Sequence, residues 1–119
     1  MSYVDGFIVP VPKKKVRAYR SMARKASKVW REHGALEFRE NIADDVKMGR
    51  STSFPRSVKL KRGETVVFSY IIYRSRKERD RVLANVMKDK RLAKMMNPKA
   101  MPFDARRMIY GGFKTMVKA

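Results

Sequence analysis

Cysteine is absent from the 119 residues, so neither a disulfide framework nor thiol chemistry is open to this chain, and its redox compartment leaves no mark. Histidine occurs once, as His33. Protein metal centres draw on several clustered nitrogen, sulfur or carboxylate ligands, so a lone histidine points to helix-end packing, and no metal or cofactor is expected. Acids are scarce. The 11 Asp+Glu stand against 30 Lys+Arg, a formal net charge of +19. A small soluble domain carries about 2–8, so this excess excludes indifference toward polyanions. Long apolar runs are missing too. The longest, Val66 to Tyr73, is broken by Ser69 and falls far short of the roughly 20 residues of a membrane helix, so no membrane span is expected. The start, Met1-Ser2-Tyr3-Val4-Asp5, lacks the basic and apolar regions of a signal peptide, which points to the cytoplasm. No solenoid repeat, nucleophile elbow, phosphate loop, zinc finger, RNA-reading aromatic motif or helix-turn-helix signature occurs.

What is present suffices for a core. Hydrophobic residues make up 44% of the chain, too many for disorder, and the length suits one domain over residues 1–119. Tyr3 to Val11 reads as a strand ended by Pro10 and Pro12, since proline removes ladder donors. Lys13 to His33 reads as a helix. Val16, Tyr19, Ala23, Ala26, Trp30 and His33 form its apolar stripe, and Gly34 stops it. Ala35 to Asp44 alternates as a half-exposed strand, with Leu36, Phe38 and Ile42 on one side and Glu37, Arg39 and Asn41 on the other. Val46 to Lys61 carries loop residues, and Ser57 to Leu60 is open to either a strand or a helical turn. Glu64 to Tyr73 is dense in β-branched and aromatic residues and predicts a strand. Ser75 and Glu78 form a capping box, so a helix begins at Arg76 with Val82, Leu83, Val86 and Met87 on its buried face. A short helix follows around Arg91 to Met96, and Arg107 to Thr115 predicts a last strand in which Gly111-Gly112 allows a bulge or a close backbone approach.

The order strand, helix, strand, strand, helix, strand is that of an α+β, ferredoxin-like β-α-β-β-α-β subunit. Its sheet is four-stranded and antiparallel, with two helices on one face. On the strongest strand, Val66, Phe68, Tyr70 and Ile72 face one way and Val67, Ser69, Ile71 and Tyr73 the other. Both rows are largely apolar, and a strand apolar on both sides is buried on both sides. Two helices cover one face only. With no chain left for the other, a second copy is expected to cover it, making a homodimer.

Tyr3-Val4-Asp5-Gly6-Phe7, His33-Gly34-Ala35-Leu36, Val66-Val67-Phe68-Ser69-Tyr70, Met101-Pro102-Phe103-Asp104 and Arg107-Met108-Ile109-Tyr110-Gly111-Gly112-Phe113 together resemble the YbaA-like family of bacterial proteins, a domain of unknown function. The resemblance spans nearly the whole chain. It implies a dimeric α/β-barrel of ferredoxin-like subunits and no established activity. The departure is the surface, where the resemblance implies mixed charges on the first helix. Lys13, Lys14, Lys15, Arg17, Arg20, Arg24, Lys25, Lys28 and Arg31 are answered there by Glu32 alone, and Arg76, Lys77, Arg79 and Arg81 repeat the habit on the next helix. Lysines at a helix start oppose the macrodipole. A polar surface of one sign on every element suggests engineered supercharging.

The function expected is therefore that of a stable homodimeric scaffold whose cationic surface binds polyanions (nucleic acid, heparin, acidic proteins) without specificity. Lys13, Lys14, Arg17, Arg20, Arg24, Lys28, Arg31, Arg76, Lys77 and Arg81 would carry that binding. One alternative is a small-molecule-binding or cofactor-independent monooxygenase-like enzyme, an analogy of fold, with Tyr70, Tyr73, Asp104 and Arg107 as pocket candidates. A natural nucleic-acid-binding protein is the other. The default for Tyr70 and Tyr73 is packing, and for Asp104 and Arg107 a structural role such as a turn cap or a mutual pair. No catalytic acid–base pair is evident from spacing, which argues against an enzyme.

Overall fold

A computed structural model describes residues 2–119. Strand β1 spans Tyr3–Pro12, helix α1 Val16–Glu32, strand β2 Glu37–Ile42, helix α2 Phe54–Ser57, strand β3 Glu64–Tyr73, helix α3 Arg76–Met87, helix α4 Lys90–Met95 and strand β4 Ile109–Lys114. The strands form one antiparallel sheet in the order β2-β3-β1-β4, the ferredoxin-like arrangement. Central β1 and β3 pair along their whole length, from Tyr3↔Tyr73 to Pro12↔Glu64.

The period-2 alternation of the strands sorts the side chains onto two faces. On the helix side, Val67, Ser69, Ile71 and Tyr73 are all buried. Val29 of α1, Val82 and Val86 of α3 and Leu92 of α4 pack there on Ile71 and Tyr73, and Tyr19 and Ala23 of α1 pack on Val9, Val11 and Val67. Full burial of one such aliphatic side chain contributes about 1.5–3 kcal/mol. These contacts hold α1, because its first turn contains no acid and three lysines precede it in a 3-10 turn, Lys13–Lys15. Val29 is 1% exposed and carries the stripe more than Ala26 or His33, which are half-buried. Gly34 takes φ +121° just past the helix, a left-handed backbone that suits glycine. Ser75 caps α3 by accepting from the Glu78 amide at 3.1 Å. The Glu78 carboxylate does not return to the cap, because Arg81 holds it.

The other sheet face carries Val4, Gly6 and Ile8 of β1, Phe68, Tyr70 and Ile72 of β3, and Ile109, Gly111 and Phe113 of β4. Phe68 is 45% and Phe113 63% exposed. The phenyl ring of Phe113 lies over Gly6 and Gly111, where a Cβ would sit 3.7 and 3.6 Å from it. The expectation that no chain is left for this face needs correction. The ambiguous stretch contains helix α2, whose buried Pro55 lies near the Val66 end of β3 and whose Phe54 stacks on Phe68 with ring centroids 6.0 Å apart. Residues before β3 thus cover one end and leave the rest open.

Four other expectations are corrected or narrowed. Pro10 and Pro12 do not end β1; they pair with Val66 and Glu64. β4 reaches only to Ile8↔Ile109, so beyond that point β1 is an edge and tolerates a missing donor. Arg107 lies outside the last strand, in a 3-10 turn over Ala105–Arg107. Met87 is 56% exposed, because Val82 and Val86 already fill the space under α3. Gly111-Gly112 forms no bulge. Its register with Gly6 and Asp5 is regular, and Gly112 allows the Tyr3 ring to lie against the backbone.

Candidate functional site

Strand β2 is the outer strand of the sheet, so nothing lies beyond it to close the space under α1. A cleft of about 410 Å³ opens there. Alternation along β2 turns Phe38, Glu40 and Ile42 into it. Helical spacing brings Tyr19, Ala23 and Ser27 down from α1, and Val16 and Val67 complete the apolar wall. Arg20 and Arg24, one position on from Tyr19 and Ala23, line it as exposed cations. Neither forms an ion pair among the described residues.

Glu40 is the polar centre of the cleft. The Tyr19 hydroxyl donates to its two carboxylate oxygens at 2.9 and 3.0 Å. Ser69 is its buried cross-strand neighbour on β3. Burial pushes the Glu40 carboxyl above its ordinary value, although the Tyr19 hydrogen bond pulls the other way. Burial first, then the neighbouring Glu40 charge, pushes the Tyr19 phenol well above its usual range. Tyr19 therefore stays a hydroxyl and orients Glu40, and Glu40 is the group able to accept a proton. Sequence reasoning passed over this pair. The available signal was a carboxylate in the same alternation as Leu36, Phe38 and Ile42, where an apolar residue belongs.

The residues singled out from the sequence are not brought together. Tyr70 lies half-buried on the open sheet face, 6.1 Å from Phe68 between ring centroids. Tyr73 lies on the opposite face, fully buried, and its hydroxyl accepts from Trp30 Nε1 at 3.1 Å. Tyr73 also hydrogen-bonds Asp5, whose carboxylate takes Arg79 Nη1 at 2.7 Å. Asp104 and Arg107 do not pair through their side chains. Asp104 caps its turn by accepting from the Arg106 amide and holds the Arg106 guanidinium, while Arg107 turns to Glu64. His33 ends α1 and bonds Asp89 at 2.9 Å.

Among the cations expected to meet polyanions, Lys13, Lys14, Arg17, Arg20, Arg24, Lys28, Arg31, Arg76, Lys77 and Arg81 are all exposed on helices or the turn before α1. A groove of about 610 Å³ between α1 and α4 adds Lys25, Arg91 and Lys94 beside Lys28, over a floor that includes Met22, Val29 and Met95. Some cations, inside and outside that set, have built contacts. Arg56 donates to the Met48 and Gly49 carbonyls, and Arg81 to the His33 carbonyl. The strands of the open sheet face carry Glu37 with Arg39 and, at the end beside Pro12, Glu64 held by Arg107; the other residues there are apolar, or tyrosine, asparagine and glycine.

The chain belongs to the family described as a protein of unknown function, DUF1428, whose model matches residues 2–105. It is 46% identical over 117 residues to the uncharacterized protein YbaA of Escherichia coli K12, covering 98% of both chains, and equally similar to YbaA of Shigella flexneri. Among solved structures, a dimeric ferredoxin-like protein from an uncultured marine organism matches with a TM-score of 0.61 at 11% identity, over 100% of both chains. A Nitrosomonas europaea protein named as a candidate antibiotic biosynthesis monooxygenase matches at 0.59 and 15%, over 97% of this chain and 90% of that one. These likenesses show the ferredoxin-like fold.

Proposed function

We propose that this DUF1428 protein is a homodimer whose open sheet faces close on each other and whose cationic exterior binds polyanions without sequence preference. The segregation of charge carries this reading. Exposed lysine and arginine crowd the helices, whereas the open face presents Phe68, Tyr70, Ile109 and Phe113. An apolar face of that kind suits a second copy related by a two-fold axis, and a cationic exterior suits RNA, DNA, heparin or acidic proteins. The experiment has two parts. Light scattering should give twice the 13.9 kDa chain mass. Titration with two unrelated oligonucleotides of equal length should give equal affinities that fall steeply with salt. A preference above about a hundredfold, or binding that survives high salt, would mean a dedicated recognition site and a natural nucleic-acid binder. The engineered origin that the one-sided charge suggests is tested by the formal charge of the bacterial relatives at the aligned positions. A similar excess there removes it.

A second reading is a small-molecule enzyme or binder, of the broad kind named for the Nitrosomonas structure. The cleft between α1 and β2, with a carboxylate in an apolar wall, favours it.

A further inference from the structure

Three features of the cleft between α1 and β2 go together. Its walls are apolar and include an aromatic ring, Phe38, with Val16, Ile42 and Val67. Glu40, inside it, is an acceptor with spare capacity: one hydroxyl hydrogen from Tyr19 is shared between its oxygens, while a carboxylate offers about four acceptor sites. Arg20 and Arg24 add positive charge to the same cleft, and neither forms an ion pair among the described residues. The volume, about 410 Å³, lies in the range of small-ligand sites, about 300–1,000 Å³. A ligand matched to all three is flat and apolar in its body, carries an anion at one end and offers a hydroxyl hydrogen at the other.

We infer that this cleft binds a small hydroxyaryl carboxylate, its ring between α1 and β2, its carboxylate held by Arg20 and Arg24, and its hydroxyl donating to Glu40. The inference deepens the small-molecule reading and rests on it. Glu40 has a structural task as well, the seating of Tyr19, but that task alone would be met by a neutral glutamine and leaves the two arginines unexplained. The charge on Glu40 matters for the ligand because a hydrogen bond to a carboxylate is roughly twice as strong as one to a neutral acceptor.

The test is a fluorescence titration of the full chain with 6-hydroxy-2-naphthoate, 2-naphthoate and 2-naphthol at physiological ionic strength, where the Debye length is about 8 Å. The hydroxynaphthoate should bind about tenfold tighter than either fragment, the worth of one charged hydrogen bond. Glu40→Gln should remove most of its advantage over 2-naphthoate, and Arg20→Ala with Arg24→Ala should bring it to the affinity of 2-naphthol. Arg62→Ala, at an exposed arginine that does not line the cleft, should change nothing. Equal affinity of the wild type for the hydroxynaphthoate and 2-naphthoate overturns the role of Glu40 and leaves the small-molecule reading standing. No binding of any of the three overturns both. An equal loss with Arg62→Ala assigns the binding to bulk charge and overturns the inference.

Discussion

Arg107 and Glu64, 43 residues apart in sequence, form a two-pronged ion pair at the start of β3, with nitrogen–oxygen distances of 2.6 and 2.9 Å. The same guanidinium donates to the carbonyls of Val58 and Lys59 at 3.1 and 3.0 Å. One side chain thus ties the turn before β4 to the loop that follows α2, and through it to the partial cover on the open sheet face. The fork of donors is what an arginine offers and a lysine does not.

Arg107→Lys should therefore lower stability by about 1–3 kcal/mol in denaturant unfolding at neutral pH, the scale of lost charge-assisted hydrogen bonds. The Arg107 hydrogen bonds hold the Glu64 carboxyl below its ordinary value. A depressed carboxylate contributes stability above its unfolded value, 4.5, and loses it as pH falls through the lower folded value. The penalty of the substitution should accordingly shrink in acid. A penalty independent of pH would mean that the pair contributes nothing.

Tyr73→Asp should weaken folding by more than about 2 kcal/mol, because it places a polar group without partners in the core. Tyr73 is 0% exposed, and its hydroxyl serves Trp30 and Asp5. The same change at exposed Lys14, in the turn before α1, should be neutral or slightly stabilising, since an acid there complements the helix dipole. Thermal unfolding of the two variants side by side reads this out.

Phe113→Asp should convert the proposed dimer to a monomer without loss of helical circular dichroism. Phe113 touches the glycines beneath it on the open face and nothing in the helical core, so the monomer keeps its fold. Light scattering at micromolar concentration checks it; an unchanged dimer mass would place the interface elsewhere. Added salt should strengthen the wild-type dimer by screening like charges.

Glu40→Gln should raise the melting temperature at neutral pH, and the gain should fade in acid. The folded value of Glu40 is raised above 4.5 by burial. Its carboxylate costs stability at neutral pH, and that cost vanishes once the group is protonated, below its unfolded value. Tyr19, Arg20 and Arg24 of α1 line the same cleft, and Ser69 of β3 is the cross-strand neighbour of Glu40. A gain that persisted unchanged at pH 4 would contradict the assignment.

Local chemistry made much of this legible from the residues alone. The β-branched density of Glu64–Tyr73 marked the ends of β3, Ser75 marked the start of α3, and the period of two separated Tyr70 from Tyr73. These follow from interactions within a few residues, which a sequence displays directly. The element order, the one-sided helices and the apolar character of the second sheet face came from adding such local readings together. The pairings across the fold were decided elsewhere. Arg107 chose Glu64 over its neighbour Asp104, and Tyr19 met Glu40 across 21 positions, because the sheet register and the packing of α1 brought them within reach. Pro10 stayed inside β1 because β4 ended early, a fact of tertiary length that no local rule contains. A charged residue on an apolar row reads from sequence as an exposed position; whether it is a solvated edge or the centre of a cleft depends on which helix comes to lie above it, and only the folded chain fixes that.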